Sequence, residues 1–391
     1  MTAAAAVPEW VHLQYEERAA FTETYGFAGS QGTVNLEGVR FVSPGTANHT
    51  LLVYMHPAST LQLLPVPRSM AALGAHVLCA GSRYAKNDTA LILEKVVLDL
   101  GAWVRHAREV WGYRHVVLCG WSGGGSLAVL YQSQAESPSI THTPAGDAVD
   151  LVNAGLLPAD AVIFQAAHLS RAHLLAESLD PSVSDEADPD ARNPDLDIYD
   201  PRNPNRAPFS TEYIEHYRGA QLARMRRITA WAKATLHALK ARGTDEIERG
   251  FIVHRTFADP RFIDPALDPN GRAPGSSYLG KPATVNSGPV GLARFTTLRS
   301  WLSQWSIDDS CGDALVHARR FRAPLLVIEN GADDGVPQPH PGLLFEAATT
   351  ADKTLVLVEG AGHYYANQPK QLAAANELVH DWLSARGLQA R

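Results

Sequence analysis

The hexapeptide Gly120-Trp121-Ser122-Gly123-Gly124-Gly125 follows an apolar run at 115–119 (HVVLC) and precedes an apolar stretch at 126–134. It therefore sits where a strand turns into a helix. A serine on so sharp a turn is held in strained backbone angles with its flanking chains in contact. Only very small residues fit two positions before and two after it, and Gly120 and Gly124 stand there. The turn would lift the Ser122 hydroxyl clear of the sheet and set the first amide of the new helix, Gly123, where an oxyanion could form. A serine hydroxyl attacks a carbonyl only when a base takes its proton. Downstream, 324–337 (PLLVIENGADDGVP) reads as a strand ending in an acidic turn, with Asp333 and Asp334 both open as the acid. The stretch 355–363 (LVLVEGAGH) reads as a strand ending in the glycine-flanked His363. Each group falls just past a strand's C-terminal end, the edge where open α/β sheets bind ligands.

These groups need a scaffold. Buried-strand runs at 50–55, 75–80, 115–119, 161–165, 324–329 and 354–359 alternate with helical patterns at 61–73, 89–111, 126–134, 343–349 and 371–386. The second of these helices has Asp88 as its expected N-cap, apolar residues at Leu93, Val96, Val97, Leu100, Val104 and Ala107, and Gly112 as its stop. Such alternation predicts a mostly parallel, doubly wound sheet. Between its two blocks lies 169–321, a segment of different character. It opens with a Pro- and Asp-rich passage at 180–205. That passage lacks the glycine turn of a calcium loop and has Arg192 at a ligand position, so a solvated loop is expected. A long helix follows at 211–242, then a second at 292–305. The expected organisation is one catalytic domain, 1–168 with 322–391, carrying a mainly helical cap at 169–321. The cap should cover the catalytic edge and line an apolar pocket, with Tyr217, Met225, Trp231, Trp301 and Trp305 as candidate wall residues, although each of them singly is more expected to hold the cap's own core.

The three motifs, in the order serine, acid, histidine, resemble the α/β-hydrolase superfamily over 33–168 and 322–388. The segment 79–136 is also similar to uncharacterised bacterial members, which bring no substrate with them. The resemblance implies an α/β-hydrolase fold and a Ser122–His363–acid triad. The family's Gly-x-x-Asp-x-x-Val-Pro-like turn, laid on residues 331–337, selects Asp333 over Asp334. Its second oxyanion amide comes from the loop after the 50–55 strand, commonly His-Gly. Here the loop reads His56-Pro57-Ala58-Ser59, and because Pro57 has no N–H, Ala58 becomes the expected partner of Gly123. His56 is expected to hold the loop, and His56, Trp121 and His168 are candidate pocket residues. His173, His216 and His317 are expected at the surface. A serine nucleophile sets aside the aspartate-dependent dehalogenases and epoxide hydrolases of this fold. Ester cleavage through an acyl-enzyme is the leading expectation. Hydrolysis of a diketone-type C–C bond, of an amide or of a lactone, and acyl transfer, are the alternatives. A catalytically inactive ligand-binding homologue would normally lack a triad member, and none is lacking here. No metal or organic cofactor is implied.

Bulk composition narrows the partners. The 391 residues are 45% hydrophobic and 19% charged with a net charge of −7. No Lys/Arg tract suggests a nucleic acid, and no apolar run reaches the roughly 18 residues of a membrane span. The opening residues lack the basic start and apolar core of a secretory leader. Cys79 and Cys119 lie in apolar strand runs, and with Cys311 they read as free thiols. A small-molecule substrate with an apolar part, and a cytoplasmic setting, are expected.

Overall fold

The computed structural model describes residues 6–17, 32–42, 48–268 and 270–389. The first five residues of the stretch read for a leader lie outside them. The strands are β1 (Val7–Glu16), β2 (Thr33–Val42), β3 (Thr50–Met55), β4 (His76–Ala80), β5 (His115–Ser122), β6 (Ala161–Ala167), β7 (Gly250–Ile252), β8 (Phe295–Thr297), β9 (Leu325–Asn330) and β10 (Lys353–Val358). Eight of them form one sheet in the order β1-β2-β4-β3-β5-β6-β9-β10. From β4 to β10 every pair is parallel, while β1–β2 and β2–β4 are antiparallel.

The alternation of side chains along each strand explains the unbroken apolar runs. On β5, Val116 and Leu118 face one layer, which holds helices Leu93–Glu109 and Gly123–Glu136. Val117, Cys119 and Trp121 face the opposite layer, with helices Pro65–Ala72 and Pro369–Ser384. Strands covered on both faces have no polar side to show in the sequence. Each fully buried Val, Leu or Ile contributes about 1.5–3 kcal/mol relative to exposure. Cys79 and Cys119 are among the buried residues. Among the described residues, no helix is long and apolar enough to cross a membrane.

Several local expectations differ. The helix expected from 89 begins at Leu93, behind Ile92 and without a side-chain cap. Asp88 instead pairs with Arg171, and its carbonyl accepts from Gln304 Nε2 at 2.8 Å. The stretch read as a helix at 292–305 starts with β8, which pairs antiparallel with β7. Only then come the helical turn Leu298–Ser300 and the π-helical Trp301–Trp305. The acidic passage is not simply solvated. Asp180 and Asp197 are buried, and each lies 2.7 Å from the Arg255 guanidinium. His317 is buried too, with Nδ1 2.9 Å from Ser133 Oγ and Nε2 2.7 Å from the Cys311 carbonyl. His216 is exposed and His173 half-buried.

The residues between β6 and β9 build a core of their own. Met225, Ile228, Ala232 and Leu239 of helix Thr211–Arg242 pack on Leu175, Trp301 and Trp305. Tyr217 joins a smaller cluster with Leu196, Ile198 and Tyr213. Trp231, one of the expected wall residues, is 44% exposed and lines a different cleft with Phe251 and Phe295.

Candidate active site

Ser122 ends β5 with φ 55° and ψ −126°. Such angles cost roughly 1–3 kcal/mol in a non-glycine residue and persist only where the surroundings enforce them. Here they do. The β5–β6 register slips at this point, so that Ser122 stands opposite Ala167, and Ala166 is itself pushed to φ 46°. A side chain at Gly124 would run into the Met55 carbonyl, and one at Gly120 would meet the backbone of Gly124 and Gly125. Helix Gly123–Glu136 starts at the very next residue, three earlier than the apolar pattern suggested. The Gly123 amide thus has no acceptor within the helix.

The turn after β9 carries Asp333, 3% exposed. Its Oδ1 accepts from the amides of Gly335 (2.8 Å) and Val336 (2.7 Å). The His363 Nδ1 lies 3.0 Å from Oδ1 and 3.1 Å from Oδ2. Asp334 does something else: its Oδ1 accepts from the His363 backbone amide at 3.1 Å. The two adjacent aspartates therefore hold the ring and the backbone of one histidine. With Nδ1–H donated to a carboxylate, the His363 Nε2 is the lone-pair nitrogen. Trp121 packs its ring 4.4 Å from the His363 ring, and its indole N–H donates to the His363 carbonyl at 3.3 Å. No hydrogen bond joins Ser122 to His363 in this structure, a contact that is commonly long without substrate.

The loop after β3 departs from expectation. The amides of Ala58 (3.1 Å) and Ser59 (2.9 Å) both donate to His56 Nδ1, so the Ala58 N–H expected to face an oxyanion is already engaged. His56 does hold its loop, as expected. Burial, aided by the Arg171 and His363 charges, pushes its pKa down to about 3. Burial also drives His168 well below the usual histidine range, and His168 Nδ1 has no hydrogen-bond partner.

A histidine that titrates near 6.5 unfolded but near 3 folded gains protons on unfolding anywhere between those values. Stability linked to His56 is therefore full above about pH 6.5 and declines as pH falls toward 3. In urea unfolding at pH 7 and pH 5, His56→Asn is expected to show the shallower loss. The wild-type protein should lose about 2 kcal/mol more than the variant across these two pH units, an average of about 1 kcal/mol per unit. Equal slopes would contradict it.

Ser122, His56, Trp121 and His168 open onto one cavity of about 460 Å³. All three candidate pocket residues thus share a cleft with the candidate nucleophile. Residues from the segment between β6 and β9 complete it, among them Leu174, Tyr278, Leu292 and Trp305. The wall is not purely apolar. Arg171 and Lys86 also face the cleft with Asp88, and the Arg171 guanidinium lies 4.2 Å from the centre of the Trp305 ring. Burial lowers the Arg171 pKa while the Asp88 carboxylate opposes that shift. Sequence reasoning missed Arg171, Tyr278 and Tyr364. Tyr278 sits in a glycine-rich loop with no periodicity, yet its ring stands 5.6 Å from that of His363. Among the described residues, no group of three or more His, Cys, Asp or Glu side chains is placed to hold a metal ion.

No family model matches the chain, and no curated protein matches it by sequence. Its structure is similar to that of DcsB in complex with its substrate analogue, at 12% identity and a TM-score of 0.52, covering 96% of this chain and 99% of that one. It is also similar to a monoacylglycerol lipase from Paleococcus ferrophilus (14% identity, TM-score 0.46, 90% and 98% covered). Est1E from Butyrivibrio proteoclasticus is a third (12% identity, TM-score 0.45, 94% and 98% covered). At such identities the likeness is one of fold. The mostly parallel eight-stranded sheet, with helices on both faces, is an α/β-hydrolase fold, as the motifs implied.

Proposed function

We propose that this protein is a serine hydrolase that cleaves carboxylic esters of small molecules through an acyl-enzyme. The observation that carries the reading is the Asp333–His363 pair, 3.0 Å apart, at the same sheet edge as a serine held at φ 55°. Strain of that kind is tolerated where it serves a reaction. In the proposed mechanism, His363 Nε2 takes the Ser122 proton as Oγ attacks the carbonyl. Asp333 fixes the ring's tautomer and stabilises the imidazolium that forms. The Gly123 amide donates to the oxyanion, and His363 returns the proton to the leaving alkoxide. Water, activated by the same histidine, then releases the acid. No cofactor enters this scheme.

Residues 1–168 and 322–391 serve as the catalytic domain in this reading, and 169–321 as its cap. Leu174, Leu292 and Trp305 offer the substrate's apolar part a surface. The unpaired cysteines suit a reducing compartment. A fluorophosphonate probe should add its mass to Ser122, and a panel of p-nitrophenyl esters should be turned over. Failure of both would defeat the proposal. The cap's part is read separately. Leu292→Trp, which fills the cleft from the cap side, should lower kcat/KM for an octanoate at least about 10-fold relative to an acetate. An unchanged chain-length preference would remove the cap from substrate selection.

A further inference from the structure

We infer that the side chain of His56, through its Nε2–H, is the second oxyanion donor, taking the place expected for the Ala58 amide. The inference rests on the serine-hydrolase reading and names a further catalytic residue within it. Three observations lead to it. First, two backbone amides, Ala58 and Ser59, both donate to His56 Nδ1. A nitrogen receiving two N–H groups must present its lone pair, so the proton of the neutral ring resides on Nε2. The same two donors fix the ring's orientation, since a flipped ring would put a carbon there. Secondly, Nε2 abuts the residue whose amide is the first donor. A Cβ built on Gly123 would lie 2.7 Å from His56 Nε2. Among the described residues no side chain or carbonyl accepts from this N–H, although His56 and Ser122 line one cavity. Thirdly, the ring stays uncharged at working pH because burial disfavours its cation. A neutral imidazole donates without presenting the acid that would discharge the intermediate, a role known for buried histidines elsewhere.

Pro57 gives the arrangement its logic. It supplies no N–H, and the chain after it folds its next two amides back onto the ring. The loop's two free donors are thereby spent on Nδ1, and the ring passes a single donor onward at Nε2.

Two substitutions separate this role from loop support. In His56→Asn, Oδ1 replaces Nδ1 as acceptor for Ala58 and Ser59, but the distal donor is gone. In His56→Gln, an amide N–H reaches the place of Nε2, but the proximal acceptor is gone. The expected result is a roughly 10²–10³-fold fall in kcat for Asn with KM little changed, and at least about a tenth of wild-type kcat kept by Gln. An Asn variant as active as Gln, or more so, overturns the inference. The wild-type protein gives a reading that needs no variant. On titration with a trifluoromethyl ketone, which forms a tetrahedral adduct on the nucleophile, the His56 Nε2–H resonance should move downfield in ¹⁵N-edited spectra. An adduct that leaves His56 unchanged overturns the inference alone. If no adduct forms and fluorophosphonate fails to label Ser122, it is the serine-hydrolase reading that has failed.

Discussion

Ser122→Ala is expected to lower kcat by roughly 10⁴–10⁶-fold, because nucleophile and base act as one unit and either loss removes the covalent route. The fold should survive. Alanine keeps the Cβ that Ser122 already carries at φ 55°, so no new clash arises, and the enforcing contacts come from Gly124, Met55 and the β6 slip rather than from the hydroxyl. The measurement is initial rate on the best p-nitrophenyl ester, with thermal unfolding beside it. A variant that keeps a tenth of wild-type turnover would remove Ser122 from the chemistry.

The second large effect separates neighbours. In Asp333→Asn, the side-chain oxygen is expected to stay with the amides of Gly335 and Val336, which both donate to Oδ1. The new NH₂ then occupies the place of Oδ2, beside His363 Nδ1. Facing a donor, Nδ1 must accept, the ring proton moves to Nε2, and the base can no longer take a proton from serine. The expected cost is about 10⁴-fold in kcat. Asp334→Asn keeps an oxygen able to accept from the His363 amide, so its cost should stay within about 10-fold. Reversed effects would assign the acid to Asp334.

The parts of the site that were legible in the sequence are those whose chemistry is local. Gly120 and Gly124 flank Ser122 because neighbouring backbone fills the space of their side chains, and that leaves a five-residue imprint. Asp333 follows β9, an apolar run buried on both faces of the sheet, and His363 follows β10, an apolar run at the sheet's edge. What the sequence hid depends on partners far away in the chain. Asp88 has the look of a helix cap, yet Arg171 claims its carboxylate. His317 stands just before Arg319 and Arg320 in the sequence, yet it is buried, its ring bonded to Ser133 of a helix on the sheet. The Ala58 amide was misread for a finer reason: nothing in His56-Pro57-Ala58-Ser59 reveals that the chain turns its amides toward the preceding ring. β1 is not an unbroken apolar run because only one of its faces meets the core: Val11, Leu13 and Tyr15 pack inward, while His12, Gln14 and Glu16 between and after them are exposed.

Strands β6 and β9 are hydrogen-bonded neighbours, with Val162 opposite Leu325, although residues 169–321 separate them in the chain. During synthesis the serine's strand therefore leaves the ribosome long before the strands that bring its acid and base. The central sheet must wait, its β6 edge open, until the whole intervening segment has been made. Closing that loop carries an entropic cost that grows only with the logarithm of its length, about 0.6 kcal/mol for each doubling. By this closure term alone, lengthening or shortening the segment changes the stability of the finished sheet very little. Leu174, Tyr278, Leu292 and Trp305, which line the cavity, all come from this one insertion point between two paired strands.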